Sequence, residues 1–358
     1  MTKESIKIII RESNINERVR LSKILQFYQE NGYEIELWKK KGTQKSNIPE
    51  RPITKTYKRK SIEYALWMSG LFFRLFFRRK TTPIFVSGFE SAIVVYFVSL
   101  LRGGTYIFDN PDNFYQSKNL PNGLKKMIFN IERKIIKRAQ ITIVPDEMRI
   151  IGYNLPRKYF LTIRNFPSKS DVEKSLKNTT PKDKKLVIYM NGWLVPTRGL
   201  QMISEFIKKL QPNLDLKIKI AGKKEGLDEI LKSPYVEYLG IVDAMTSLGN
   251  YHNSDIILTF YDPSIEINRN ASPNKWGDAL VTETIPILNN GIETTAMYFP
   301  KGGYFAIDYN DSESLYKLIM DIYENEEILA NKRTELKENP IYFWEDQMQK
   351  ILNKDAKK

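Results

Sequence analysis

The sequence predicts an α/β protein built from two Rossmann-like, doubly wound domains. Three observations carry this. Short β-branched runs alternate with amphipathic helical stretches along nearly the whole chain. The 358 residues are about twice a typical domain. A polar stretch then interrupts the alternation once, after which it restarts.

Residues 6–10 read as a buried strand, followed by a polar turn and an amphipathic helix from about Glu17 to Asn31. Val19, Leu21, Ile24, Leu25 and Tyr28 mark its apolar face. Gly32 ends that helix and 33–38 returns as strand, completing a β-α-β unit. Residues 39–60 read as a basic, structureless segment. Further strands are expected at 83–87, 105–108 and 141–144. Residues 171–185, poor in large apolar side chains, read as the linker. Beyond it, strands are expected at 186–190, 216–221, 236–239, 256–260 and 285–288. Helices are expected at 200–210 and 245–251, from Lys275 on, and at 313–324. The predicted plan is a basic domain over 1–170, a linker over 171–185 and a second domain over 186–340. A C-terminal helix over 341–358 is expected to return toward the first domain.

Composition narrows the chemistry. With 42% hydrophobic residues the chain is expected to fold rather than stay disordered. There is no cysteine and one histidine, so thiolate metal sites, disulfides and histidine clusters are excluded, and a Ser-His-Asp triad would rest on His252 alone. The charge of +14 is uneven: residues 1–170 hold 32 Lys/Arg and 14 Asp/Glu, whereas 171–358 hold 24 and 28. A basic first half suits a polyanion, either nucleic acid or an anionic membrane. Lys3, Glu4, Lys7 and Arg11 interrupt the opening apolar run, arguing against a signal peptide. No uncharged stretch approaches the roughly 20 residues of a bilayer span. The expected location is cytoplasmic, peripheral on the inner face of the cell membrane. The stretch from Tyr64 to Lys80, aromatic and leucine-rich with a cationic end, has the composition of an interfacial helix; a core helix with a solvated end reads as well.

Two segments follow strands and open helices, where a doubly wound sheet binds ligands and free N–H groups favour anions. In the first, Gly192 allows close backbone approach and Arg198 adds a cation; a glycine turn with a solvated arginine is equally compatible. In the second, Ser272, Asn274 and Lys275 occupy a helix start, with Asp278 one turn on. A cation there suits a diphosphate and a carboxylate suits a ribose diol. An N-capped helix with a surface Lys–Asp pair is the plainer alternative. In the first half, Asp109 and Asp112 follow a strand and Glu90 follows Ser87-Gly88-Phe89. All three are candidate general bases facing the cleft expected between the domains, although Asp109-Asn110-Pro111 also reads as an Asx turn. For His252, a solvent-facing or base-adjacent place is expected over catalysis.

Taken in order, these pieces resemble the GT-B glycosyltransferases of family 4, the "group 1" transferases. Gly192 followed by Arg198-Gly199 resembles their phosphate loop, and Ile220-Ala221-Gly222 their strand ending in glycine. Tyr238-Leu239-Gly240-Ile241-Val242, then Tyr251 and Ser254-Asp255-Ile256, resembles the nucleotide-base loop and the next strand. Ser272-Pro273-Asn274-Lys275, Asp278-Ala279-Leu280 and Thr284-Ile285-Pro286-Ile287-Leu288 resemble the Ser-Pro-x-Lys, acid-Ala, small-x-Pro-Val-Ile signature. Asn31-Gly32-Tyr33-Glu34-Ile35 and Ile163-Arg164-Asn165-Phe166-Pro167 resemble passages of the first domain and its exit. Three departures stand out. The family's paired glutamates map onto Asn270 and Asp278, Trp193 stands where an arginine is common, and Ser13-Asn14-Ile15-Asn16 replaces a glycine-rich turn.

The resemblance implies a GT-B fold, its two domains facing a central cleft, and transfer of a hexose from a nucleotide diphospho-sugar to a saccharide acceptor. That acceptor is expected to be lipid-linked, in cell-surface polysaccharide synthesis (capsule, O-antigen or exopolysaccharide). Arg198 and Lys275 are expected at the diphosphate, Asp278 at the ribose, and Gly240, Val242 and Tyr251 near the base. Gly192, Gly222, Asn270, Ser272 and Asn274 complete the expected donor set. Neither metal nor cofactor is expected. A non-catalytic sugar-nucleotide-binding protein and a basic nucleic-acid-binding protein remain alternatives, with a nucleotide-sugar epimerase the nearest rival among enzymes.

Overall fold

The fold is built on two parallel sheets, each with a central strand from which the chain winds outward in both directions. In this computed structural model the described residues are 4–15, 18–42, 47–78, 82–117, 120–177, 179, 182–224 and 226–355. The chain divides into two units, Met1–Ile163 and Arg164–Lys358.

The first sheet comprises β1 (Ser5–Ile10), β2 (Glu34–Lys40), β3 (Glu50–Thr54), β4 (Ile84–Ser87), β5 (Ile107–Asp109), β6 (Ile141–Val144) and β7 (Phe160–Thr162). Their order is β3-β2-β1-β4-β5-β6-β7, and every pairing is parallel. Central strands of such a sheet are covered on both faces, so they must be apolar throughout rather than alternating. Ile6, Ile8, Ile9 and Ile10 of β1 are accordingly all buried. Helices Lys60–Phe76, Phe89–Arg102 and Asn122–Arg138 lie side by side, the second packing against both others. Right-handed crossovers in one direction along a sheet put helices on one face.

The second sheet comprises β8 (Leu186–Gly192), β9 (Leu216–Gly222), β10 (Val236–Gly240), β11 (Ile256–Thr259), β12 (Ile285–Asn289) and β13 (Phe305–Ile307), in the order β10-β9-β8-β11-β12-β13, again parallel. Its core joins Ile188, Ile218, Ile256 and Ile287 from the strands to Phe206 and Trp276 from the helices. The winding reverses between β8 and β11, and in an open sheet ligands bind beyond the carboxyl ends of strands at that reversal.

Several expectations are corrected. The basic segment 39–60 is not structureless, because Glu50–Thr54 pairs with β2 as an edge strand. Pro52 is tolerated there since an edge strand need not donate outward. Within 171–185 the chain is partly helical: Lys169–Leu176 forms a helix whose first turn is capped by Ser168, its Oγ accepting from the Asp171 N–H at 3.0 Å. The units divide ahead of that helix, between Ile163 and Arg164. The last helix, Trp344–Asp355, is anchored within the second unit. Gln347 accepts from the Arg164 N–H at 2.6 Å, and the Trp344 N–H donates to the Pro167 carbonyl at 3.2 Å. The helix expected from Glu17 is described from Val19, Glu17 itself lying outside the described residues, as do Arg79 and Lys80.

Candidate functional site

At the carboxyl end of β8, Gly192 lies beside Lys275 from the start of the helix Asn274–Thr282. A Cβ built on Gly192 would stand 3.6 Å from Lys275 Cε and 3.8 Å from Nζ. The two segments singled out from the sequence therefore meet, although 83 positions separate these residues.

Arg198 ends a single 3-10 turn, Pro196–Arg198, just before the helix Leu200–Lys209. Its Nη1 donates to Asn268 Oδ1 at 2.7 Å, and its guanidinium lies over the Tyr261 ring at 4.2 Å. Cation–π contact and a neutral amide hold the charge without cancelling it. Gly199 follows at φ +76°, where an added Cβ would come within 2.9 Å of Phe260, so this turn requires glycine. Tyr309 fixes the turn from 110 residues away, donating to the Pro196 carbonyl at 2.6 Å and accepting from the Gly199 N–H at 3.3 Å.

Lys275 feels Arg198. Burial first, and then the Arg198 charge, lower its pKa to about 8, opposed by Asp278. Asp278, one turn on, offsets the Lys275 charge less than burial and Arg198 penalise it. Two positive charges acting on one another at the starts of two helices, only partly offset by one carboxylate, make an anion site. At the same helix start Asn274 Oδ1 is buried without a hydrogen-bond partner.

The helix start is braced from behind. Ser272 Oγ shares a 2.6 Å hydrogen bond with the Tyr298 hydroxyl, and its carbonyl accepts from Asn165 Nδ2 at 2.7 Å. Trp276, fully buried, packs edge-on against Tyr298. Gly222 at the end of β9 crosses so close to β8 that any Cβ there would collide with the Gly192 carbonyl. Its own carbonyl accepts from the Tyr238 hydroxyl at 2.7 Å.

Tyr251 corrects an expectation. It is wholly buried, its hydroxyl donating to Asn191 Oδ1 at 3.0 Å, and Asn191 Nδ2 donates to Ser247 Oγ at 2.8 Å. Tyr189 joins through Ser247 Oγ at 3.1 Å and meets the Tyr251 ring edge-on. Burial and then the Asp278 charge push the Tyr251 hydroxyl well above its usual range. Tyr251 thus supports the end of β8 from below and offers no surface to a base. Gly240 ends β10 and Val242 follows it, packing against the cluster that holds Tyr189 and Tyr251. Asp278 sits one turn beyond Lys275, and Asn270 closes the short helix Glu266–Arg269. Ending the helix Ala244–His252, His252 is at the opposite end of the sheet, its pKa lowered by burial.

The base candidates of the first unit fare differently. Asp109 is sealed from solvent: Oδ1 accepts from Arg20 Nε at 3.0 Å and Nη2 at 2.8 Å, and Oδ2 accepts from Ser87 at 2.9 Å. It ties β5 to β4 and the first helix, so it is corrected from base to structural carboxylate. Asp112 is exposed and pairs with Arg149 at 3.0 Å, which also binds buried Asp146. Glu90 accepts from Arg11 at 3.3 Å and Tyr64 at 3.1 Å.

Asn191, Asn268, Tyr261, Tyr298 and Tyr309 were not singled out from the sequence. Tyr309 carries no local signal.

No family model and no curated protein matches the sequence. Solved structures do. Sucrose-phosphate synthase from Thermosynechococcus elongatus superposes with a TM-score of 0.71 at 11% identity, covering 99% of each chain. Anabaena HepE, solved with UDP and glucose, gives 0.67 at 12%, covering 98% of this chain and 99% of its own. A Listeria monocytogenes protein described as a UDP-N-acetylglucosamine 2-epimerase gives 0.64 at 11%, covering 98% and 95%. Over nearly its whole length, then, the chain has the GT-B fold.

Proposed function

We propose that the protein is a glycosyltransferase moving a sugar from a nucleotide diphospho-sugar to a saccharide hydroxyl. The carrying observation is the pair Arg198 and Lys275, whose charges act on one another from two helix starts while Asp278 offsets Lys275 only in part. A diphosphate fits this pair, and charge building on a departing diphosphate is what such fixed cations and N–H groups stabilise. Asp278 is assigned to the ribose diol, and the turn at Gly240 and Val242 to the base. HepE, of the same fold, binds UDP and glucose, which supports a UDP-sugar-like donor.

The transfer is proposed to be of a hexose and to need no metal, because protein cations meet the leaving charge. The acceptor is proposed to be lipid-linked, in cell-surface polysaccharide synthesis. The basic first half supports that choice. Asp112 and Glu90 are the carboxylates proposed for deprotonating an acceptor, Glu90 provided Arg11 and Tyr64 yield to substrate.

The test pairs binding with turnover. Arg198→Ala and Lys275→Ala should each weaken UDP binding by roughly 10- to 100-fold, about 1.5–3 kcal/mol for a lost charged hydrogen bond, while uridine binding stays within about twofold. Calorimetric titration checks this, and equal losses for both ligands would remove the phosphate roles. Incubation with a UDP-sugar should then release UDP with transfer. Binding without release would favour the non-catalytic reading that Asn270 raises, and an epimerised sugar with no transfer would favour the epimerase.

A further inference from the structure

We infer that the outer face of three helices in the first unit docks in the plane of an anionic lipid surface. In the helix Lys60–Phe76, Glu63, Trp67, Leu71 and Leu75 are buried, while Ile62, Leu66 and Phe73 point outward, with Phe77 just beyond. At about 100° per residue those four positions fall in one stripe roughly 60° wide. The neighbouring helix Phe89–Arg102 turns out Phe97, Leu100 and Leu101.

The two stripes meet. Arg102 donates to the carbonyls of Phe76 and Arg78, binding the ends of the two helices together. Phe73, Phe77, Phe97, Leu100 and Leu101 thus gather at one end of the face, with exposures of 49–79%. Arg138 joins the third helix, Asn122–Arg138, to the same end through the Ser99 carbonyl at 3.1 Å and the Gly104 carbonyl at 3.3 Å. Scattered exposed leucines are ordinary, but a contiguous aromatic and aliphatic patch on a helical face marks an interaction surface.

Charge selects the partner. The acids of these three helices are Glu63, Glu90 and Glu132. Glu63 and Glu132 are fully buried, and Glu90 is held by Arg11 and Tyr64. Outward on the third helix stand Lys126, Lys134 and Lys137, with Met127. A face with outward lysines, no outward carboxylate and protruding phenylalanines matches acyl chains beneath anionic headgroups. No helix among the described residues is long and apolar enough to cross a membrane, so the contact is in-plane.

The full-length protein should co-sediment with vesicles of phosphatidylglycerol and phosphatidylcholine, and only weakly with phosphatidylcholine alone or in high salt. A Phe77→Glu/Leu101→Glu double variant should lose roughly tenfold or more of that binding. A Phe77→Ser/Leu101→Ser variant, which adds no charge, should lose a smaller share in the same direction. The UDP-induced melting shift of both variants should equal that of the wild type, which reports folding and keeps this test separate from the donor-site reading. Absence of binding to the anionic vesicles, or equal binding by the wild type and the serine variant, overturns the inference. So does light scattering that shows a wild-type dimer becoming monomeric in the variants, since the face would then belong to a second copy.

Discussion

Lys275 has a lower pKa than a surface lysine because burial and Arg198 both penalise its charge. Between about pH 8 and 10.5 the unfolded chain keeps a proton there that the folded, ligand-free chain has released. Stability from this residue therefore rises with pH across that window, by at most about 3 kcal/mol. A bound diphosphate reverses the penalty, so binding above pH 8 should take up a proton. UDP affinity is accordingly expected to fall about tenfold from pH 7 to pH 9. In Lys275→Arg, whose guanidinium stays protonated, that fall should vanish. Titration calorimetry in buffers of different ionisation heats reads the proton directly, and the same pH profile in both proteins would refute the linkage. The placement of Arg198 and Lys275 at helix starts, with Asp278 one turn on, was legible in the sequence because a helix start after a strand is a local pattern. Asp109 was misread for the opposite reason. A carboxylate at a strand end has the same sequence signature whether it meets solvent or an arginine, and Arg20 lies 89 positions away. Tyr251 was misread likewise, since its partner Asn191 is 60 positions distant.

The strands β8, β11 and β12 were legible as apolar runs, and β1 as one broken only by Lys7, which is itself buried, because parallel strands covered on both faces have no polar side to show. β3 was not: Glu50-Arg51-Pro52-Ile53-Thr54 is an edge strand, and an edge tolerates charge and proline. The three-residue strands β7 and β13 are too short to show any period. Nothing local announced how closely the ends of β8 and β9 cross either. Gly222, at φ +144°, leaves no room for a Cβ against the Gly192 carbonyl, whereas Gly240, at φ +72°, has nothing within 4 Å. Gly222→Ala should therefore cost about 3 kcal/mol or more, from backbone strain plus overpacking. Gly240→Ala should cost about 1 kcal/mol, from strain alone. Denaturant unfolding measures both. Equal losses would mean that the β8–β9 end is not so tightly closed, and Gly222→Ala should also displace Gly192 and so weaken UDP binding.

The uneven charge of the chain was legible by counting, and in the proposed function the donor falls to one unit and the lipid surface to the other. The residues assigned to the donor, from Gly192 to Asp278, lie in the second unit, which has its own core. The surplus of cations and the exposed apolar face belong to the other unit, whose core is separate. A ligand that binds only the folded form stabilises the unit it touches by RT ln(1 + [L]/Kd), about 2.7 kcal/mol at 100 times Kd. For a unit of roughly 200 residues this is on the order of 5–10 °C in Tm. Scanning calorimetry of the full chain with saturating UDP should therefore raise the transition of the second unit by that amount, and an anionic vesicle should act on the first. Hydrogen exchange assigns each transition: protection gained with UDP should appear in β8, β9 and the helix Asn274–Thr282, with the helix Lys60–Phe76 unchanged. UDP protection confined to Met1–Ile163 would show that the nucleotide binds the basic half, and the pairing of Arg198 with Lys275 would then need another ligand.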